Sequence, residues 1–254
     1  MGSGGQFGHH PAELPVDMNG FKTQQHRWTK GSIQVCKKVL PEIWRSNASL
    51  PIKIEATFHL TSNFAYLLLI VLCFLIYPNQ QWQPDFGKMT YYIINVPIFF
   101  FSSVSVLLFY VVAQKALRPG TWWREIPYLP LLLALGIGMS ISNAKAVIEA
   151  LLNHRTAFVR TPKYGIGANR ETKADWRKSS YKAIKTLTPF VELLFGFFFL
   201  FVVVEAALKG NYSSAILLLP FPIGFFYTSL SSIARMLPSS ETSVATRIVN
   251  RKTP

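Results

Sequence analysis

The chain has 254 residues, of which 50% are hydrophobic, with 20 Phe against 12 acidic side chains and a mean hydropathy of +0.26. That balance lies outside soluble domains and points to an all-α integral membrane protein. A net charge of +14 could suggest nucleic acid. No basic domain interleaved with aromatics stands apart from the hydrophobic runs, however, so the charge is read as the Lys and Arg of cytoplasmic loops and nucleic acid is excluded as a partner. Cys36, in a basic segment, and Cys73, in a hydrophobic run, are expected at different depths as free thiols.

In chain order, residues 1–20 are Gly-rich with no apolar stretch, which excludes a signal peptide and suggests a disordered leader or remnant. Residues 21–56 read as a membrane-surface segment. Within it Ile33, Cys36, Leu40 and Ile43 recur at helical spacing along Ile33–Trp44, where Pro41 is expected to kink or end the helix. The first of two spans in 57–113 is the 20-residue run Phe58–Tyr77, ended by Pro78-Asn79. The second is Tyr91–Ala113, flanked by Trp82, Tyr91 and Tyr92 on one side and Trp122-Trp123 on the other.

Residues 114–153 form a linker and an ambiguous helix within Pro127–Arg155, apolar first and amphipathic later, with Lys145 and Glu149 four apart. Residues 154–186 are a basic loop. Leu187–Leu208 and Tyr212–Ile233 then read as a hairpin of two spans within 187–235, and 236–254 is a tail.

Loop charge orders these pieces. Seven Lys or Arg precede Phe58, three lie in 114–126, nine in 154–186 and four after Ile233, against one in 78–90 and one in 209–211. Four spans put every strongly basic segment on one side, whereas a fifth would move the nine-charge loop out. The ambiguous helix is therefore expected to be interfacial or re-entrant on the cytoplasmic side. Embedding Lys145 and Glu149 at roughly 2.5 to 3.5 kcal/mol each argues the same way. The expectation is a multi-pass protein of the plasma (inner) membrane with four spans, two interfacial helices and both termini cytoplasmic.

The chemistry-bearing strings are two. Gln24, Arg27 and Trp28, in "QQHRW", supply an amide for hydroxyls, a guanidinium for phosphate and a flat apolar face for a sugar ring. Taken alone, an Arg-Trp pair also suits a lipid headgroup anchor. With its surroundings, "MNGFKTQQHRWTKGSIQ", the string resembles the Q-x-x-R-W motif of processive family 2 glycosyltransferases, the cellulose synthase and mannan synthase-like group.

In that family the motif precedes the C-terminal spans, its Trp forms the floor under the acceptor sugar, and its Gln and Arg help line the acceptor and donor diphosphate site. "FVRTPKYG" resembles the family's gating loop, F-x-V-T-x-K-G, with Phe158, Thr161 and Lys163 in register, Arg160 in place of Val and Tyr164 in place of Gly.

The resemblance covers the chain from about Glu13 and implies the C-terminal part of such an enzyme, which transfers sugar from UDP-glucose or GDP-mannose to a growing β-glycan. The family's α/β (GT-A) catalytic domain, its D-x-D string and its general base have no counterpart in this sequence. Mg²⁺ or Mn²⁺ is expected on that N-terminal domain, with none bound by this chain, and the chain alone is expected to be inactive. Glu192 and Glu205, inside a span, suit pairing or groove lining better than base catalysis. A second class is a membrane scaffold or partner subunit whose Arg-Trp and basic loop bind anionic lipid.

Overall fold

The computed structural model describes Pro15 and residues 17–81, 104, 107–154 and 187–236. All regular structure among the described residues is helical. Helices α1 (Met18–Arg45), α2 (Leu50–Thr61) and α3 (Phe64–Gln81) come first. They are followed by α4 (Leu107–Leu117), a 3₁₀ segment (Trp122–Tyr128), α5 (Leu129–Gly138) and α6 (Ser140–Leu151). A hairpin of α7 (Thr188–Leu208), α8 (Tyr212–Leu218) and α9 (Pro220–Met236) completes the bundle.

Three stretches are long and apolar enough to cross a membrane: Phe64–Gln81, Thr188–Leu208 and Tyr212–Met236. Outward-facing Leu194 and Phe197 are more than half exposed, as lipid-facing side chains of a span would be.

Several boundaries differ from those expected. α1 starts at Met18, inside the expected leader, because the Asp17 side chain accepts a hydrogen bond from Gly20 N at 2.7 Å and caps the first turn. The helix then runs unbroken through the motif and through Ile33–Trp44, with Pro41 inside it. What reads as two pieces is one helix of 28 residues. The first span starts at Phe64 after a break at Ser62-Asn63, and Pro78 lies within its last turn rather than ending it. Of the expected Tyr91–Ala113 span, residue 104 and residues 107–113 are described.

Packing has two centres. Phe199 stacks on Phe221 at 4.6 Å in a core shared by α3, α7, α8 and α9, which includes Cys73 and Phe225. A smaller cluster of Ile33, Val147 and Ala150, with Phe64 and Leu67 against it, joins α1, α6 and α3.

Helix directions follow from paired contacts. Phe74 meets Phe195, Tyr77 meets Phe198 and Gln81 bonds Glu205, so α3 and α7 run the same way. Phe195 meets Phe225 and Phe199 meets Phe221, so α9 runs back.

The ambiguous segment is a bent pair of helices, the form of a broken span or of a re-entrant loop. α5 packs along α9, and α6 continues after a 42° bend to pack against α1 and α3. A Cβ on Gly224 would come within 2.0 Å of Ala134 O, and Thr228 Oγ1 donates to Gly138 O at 3.2 Å. Moving four residues along α5 thus moves four along α9, and the two run in the same sense. Small residues permit this backbone-close contact, the usual device where lipid supplies no hydrophobic drive between helices.

Candidate functional site

The face that α1 buries and the face that carries the motif are different faces. At 3.6 residues per turn, Lys22, His26, Thr29, Lys30, Ile33 and Cys36 form one stripe, whereas Gln24, Arg27 and Trp28 lie on the other side. The structure buries the first stripe, His26 only partly, and leaves Trp28 60% exposed. Gln24 and Arg27 are half-buried. The Gln24 Oε1 acceptor is shielded, with no hydrogen-bond partner among the described residues.

Two polar clusters dock the buried stripe. In the first, the Lys22 ammonium forms an ion pair with Glu192 of α7 and donates to Thr228 O at 3.0 Å and Ser232 Oγ at 2.8 Å on α9. Ser232 Oγ in turn donates to Thr228 O, and Ser229 Oγ donates to Pro189 O, so α1, α7 and α9 share one network. Asn19 Nδ2 donating to Ser232 O, and Asp17 lying 3.9 Å from Arg235, extend it. Burial pulls the Lys22 ammonium below its usual range, while Glu192 acts in the opposite direction.

In the second cluster, Lys30 Nζ is 3.0 Å and His26 Nε2 3.4 Å from the same Glu149 oxygen on α6. Burial holds His26 below the usual histidine range; Glu149 opposes that, and the Lys30 and Lys145 charges add to it. Lys37 then reaches the end of α6, donating to Leu151 O at 2.9 Å and to Asn153 Oδ1 at 2.8 Å. A cation on terminal carbonyls is favoured by their unsatisfied lone pairs and by the helix dipole. Asn153 takes the left-handed conformation, φ 54°, that closes the helix.

The structure therefore brings Gln24, Arg27 and Trp28 onto one side of a helix whose other side grips α6, α7 and α9. Phe158, Thr161 and Lys163, with most of the loop 154–186, lie outside the described residues. Among the described residues no three His, Cys, Asp or Glu side chains converge as a divalent metal site requires.

Sequence reasoning missed Lys22 and the partner of Glu149. The signal was present as the spacing of Lys22, His26 and Lys30, four residues apart each time and hence a single stripe. Glu192 and Glu205 are paired, as their position in a span suggests: Glu192 with Lys22, and Glu205 with Lys209 and Gln81.

No family profile and no solved structure matches this chain. It is 24% identical over 238 residues, 90% of its length, to a glucomannan 4-beta-mannosyltransferase 7 of Arabidopsis thaliana. The chain spans 39% of that relative's length. This likeness, together with apolar helices long enough to cross a bilayer, supports a membrane-associated protein distantly related to glycosyltransferases.

Proposed function

We propose that the chain is the C-terminal membrane part of a family 2 glycosyltransferase, which moves a sugar from a nucleotide sugar to a growing β-glycan. The observation that carries this reading is the placement of the motif. α1 spends its Lys22–Lys30 stripe on docking and carries Gln24, Arg27 and Trp28 on its other side, Trp28 exposed and the other two half-buried, on an element held by polar contacts at several points. Such a helix can present an acceptor site at fixed depth.

In this reading the Trp28 indole is the floor under the terminal acceptor sugar, the Gln24 amide accepts from its hydroxyls, and the Arg27 guanidinium faces the donor diphosphate. The shielded Gln24 oxygen suits a hydroxyl donor, because a buried acceptor without a partner is costly. The acceptor hydroxyl attacks the anomeric carbon with inversion while the nucleoside diphosphate departs. The base and the Mg²⁺ or Mn²⁺ that this requires belong to an α/β domain, and Phe158, Thr161 and Lys163 belong to a loop that closes on the nucleotide.

The test joins the chain to the α/β portion of a related mannosyltransferase and assays glycan synthesis with GDP-mannose and with UDP-glucose in the presence of Mn²⁺. Loss of a positioned sugar costs on the order of a hundredfold in rate, so Trp28→Ala should abolish measurable synthesis and Trp28→Phe should reduce it, both with normal membrane insertion. Full activity of Trp28→Ala rejects the platform role.

Placement in the plasma membrane with cytoplasmic termini is part of the same proposal. Labelling of single cysteines from outside should reach Asn211 and miss Ser243. Gly120 separates two arrangements. The loop charges put it inside, whereas the shared direction of α5 and α9 points the Trp122 end of that segment to the side of Asn211.

A further inference from the structure

We propose that the cleft between α4, α5 and α9 is a binding site for an anionic phospholipid, with one acyl chain in the cleft and its phosphate on the Arg118 guanidinium. The cleft has a volume of about 490 Å³, within the range of sites that enclose a small-molecule ligand. Its two walls differ in chemistry. α5 and α9 contribute Leu131, Leu132, Leu135 and Ile223, while Gln114 of α4 and Glu125 and Tyr128 of the 3₁₀ segment contribute the polar side.

Ala134 and Gly224 also line the cleft, and there the α5 and α9 backbones lie in close contact. Leu131 and Ile223 are 56% and 46% exposed although they face the cleft, so apolar surface is left uncovered there.

The polar rim fits a phosphate. Arg118 Nη1 donates to Glu125 Oε1 at 3.1 Å, which places the guanidinium beside a lining residue. A guanidinium has five N–H donors, so one bond to Glu125 leaves others for an anion.

Lys115, Arg118 and Arg124 against Glu125 give residues 115–125 a net charge of 3 − 1 = +2. Arg124 lies 5.3 Å from the Trp123 ring centroid, and Trp123 is 57% exposed, the Arg-Trp arrangement expected at headgroup depth. Apolar walls, with the Arg118 guanidinium held beside them by Glu125, match a lipid with a negative head in a membrane bundle. A sugar would find too few partners for its hydroxyls on the Leu and Ile side.

The test reconstitutes the full chain into liposomes carrying phosphatidylglycerol or phosphatidylcholine with a photoreactive group on one acyl chain, and maps the crosslinks by peptide mass spectrometry. Crosslinks from phosphatidylglycerol should concentrate on peptides holding Leu131, Leu132 and Ile223, at least fivefold above those holding Leu194 and Phe197, which report bulk lipid. Ile223→Trp, or Leu131→Trp should the first variant lose helix content, should remove most of that excess. Arg118→Ala should remove the preference for phosphatidylglycerol, and Lys209→Ala should not.

Equal labelling of the cleft and of the α7 surface overturns the proposal, as does an excess that both Trp variants leave intact. An excess shared equally by the two lipids overturns the phosphate contact, and displacement of the label by soluble manno- or cello-oligosaccharide reassigns the cleft to sugar.

Discussion

The two ends of α7 each carry a glutamate that ties this helix to another part of the bundle, and the two ties differ in kind. Near the start, the Lys22 and Glu192 side chains are 9% and 0% exposed, and Thr228 and Ser232 complete the shell. Near the end, the Lys209 and Glu205 side chains are 55% and 21% exposed, and Gln81 of α3 bonds to both. Lys22 joins α1 to helices far away in sequence, whereas Lys209 lies four residues from its partner. A buried ion pair gives little net stability over an apolar replacement but is very costly to break from one side, because the remaining charge has no water. The exposed pair keeps its solvent when broken.

The sharpest way to break that comparison is to remove one charge from each end in turn. Lys22→Met should destabilise the protein by about 3–5 kcal/mol, since Glu192 is left buried and unpaired. Thermal unfolding in detergent reads the loss as a fall in midpoint. Lys22→Met with Glu192→Leu should recover most of it, and failure of the double variant to recover would show that α1 is held mainly by other contacts.

Gly224→Ala comes next. The added methyl would fall 2.0 Å from Ala134 O and 2.8 Å from Ala134 C, both backbone, so α5 must move off α9. Overpacking of this kind costs about 1–3 kcal/mol. Because Thr228 sits one turn further along α9 and accepts from Lys22 through its carbonyl, the same variant should also weaken the α1 tie. Limited proteolysis at the α1 end is the measurement. Unchanged proteolysis together with a lowered midpoint would separate the α5 contact from the α1 contact.

A third, smaller effect concerns pH. Burial lowers the pKa of His26, Glu149 opposes that, and Lys30 and Lys145 add to it. The unfolded chain takes up a proton on this histidine near its ordinary value of about 6.5, and the folded chain does so at lower pH. Stability is therefore full above about 6.5, falls as pH drops below it, and levels off beneath the folded value. His26→Gln should flatten this slope below about pH 6.5 in midpoint measurements. A slope that survives the substitution would assign it to other groups.

How much of this was legible in the sequence depends on whether the signal was apolar or polar. The hairpin of α7 to α9 follows from hydropathy and from the Lys209–Asn211 turn, and it stands close to where the runs place it. The motif's position ahead of the spans was legible as well.

The docking of α1 was not, because Lys22 and Lys30 read as solvated or lipid-facing charges until their partners are seen across 170 and 119 residues of chain. The partners of Glu149 were hidden for a related reason. Its four-residue spacing from Lys145 suggests a local pair, but the side chain turns to α1, where Lys30 and His26 offer it two partners in a less exposed setting. The Ser62-Asn63 break has no apolar signature either. Polar Thr61, Ser62 and Asn63 interrupt the run only briefly, and Thr29 Oγ1 on α1 lies 3.4 Å from Asn63 Oδ1 at that corner.

The smallest effect is expected at the other end of α7. Glu205→Gln keeps the side chain's length and one acceptor oxygen, so Gln81 retains a partner and Lys209 loses only an exposed ionic contact. Lys209 also donates to Gln81 Oε1 at 2.8 Å, which holds its ammonium near the same place without the carboxylate. The midpoint should stay within error of the parent, and added salt should change the parent and the variant alike, since an exposed pair is already screened. A fall comparable to that of Lys22→Met would mean that the Gln81 corner is dry in the membrane-embedded protein, and the contrast between the two ends of α7 would be lost.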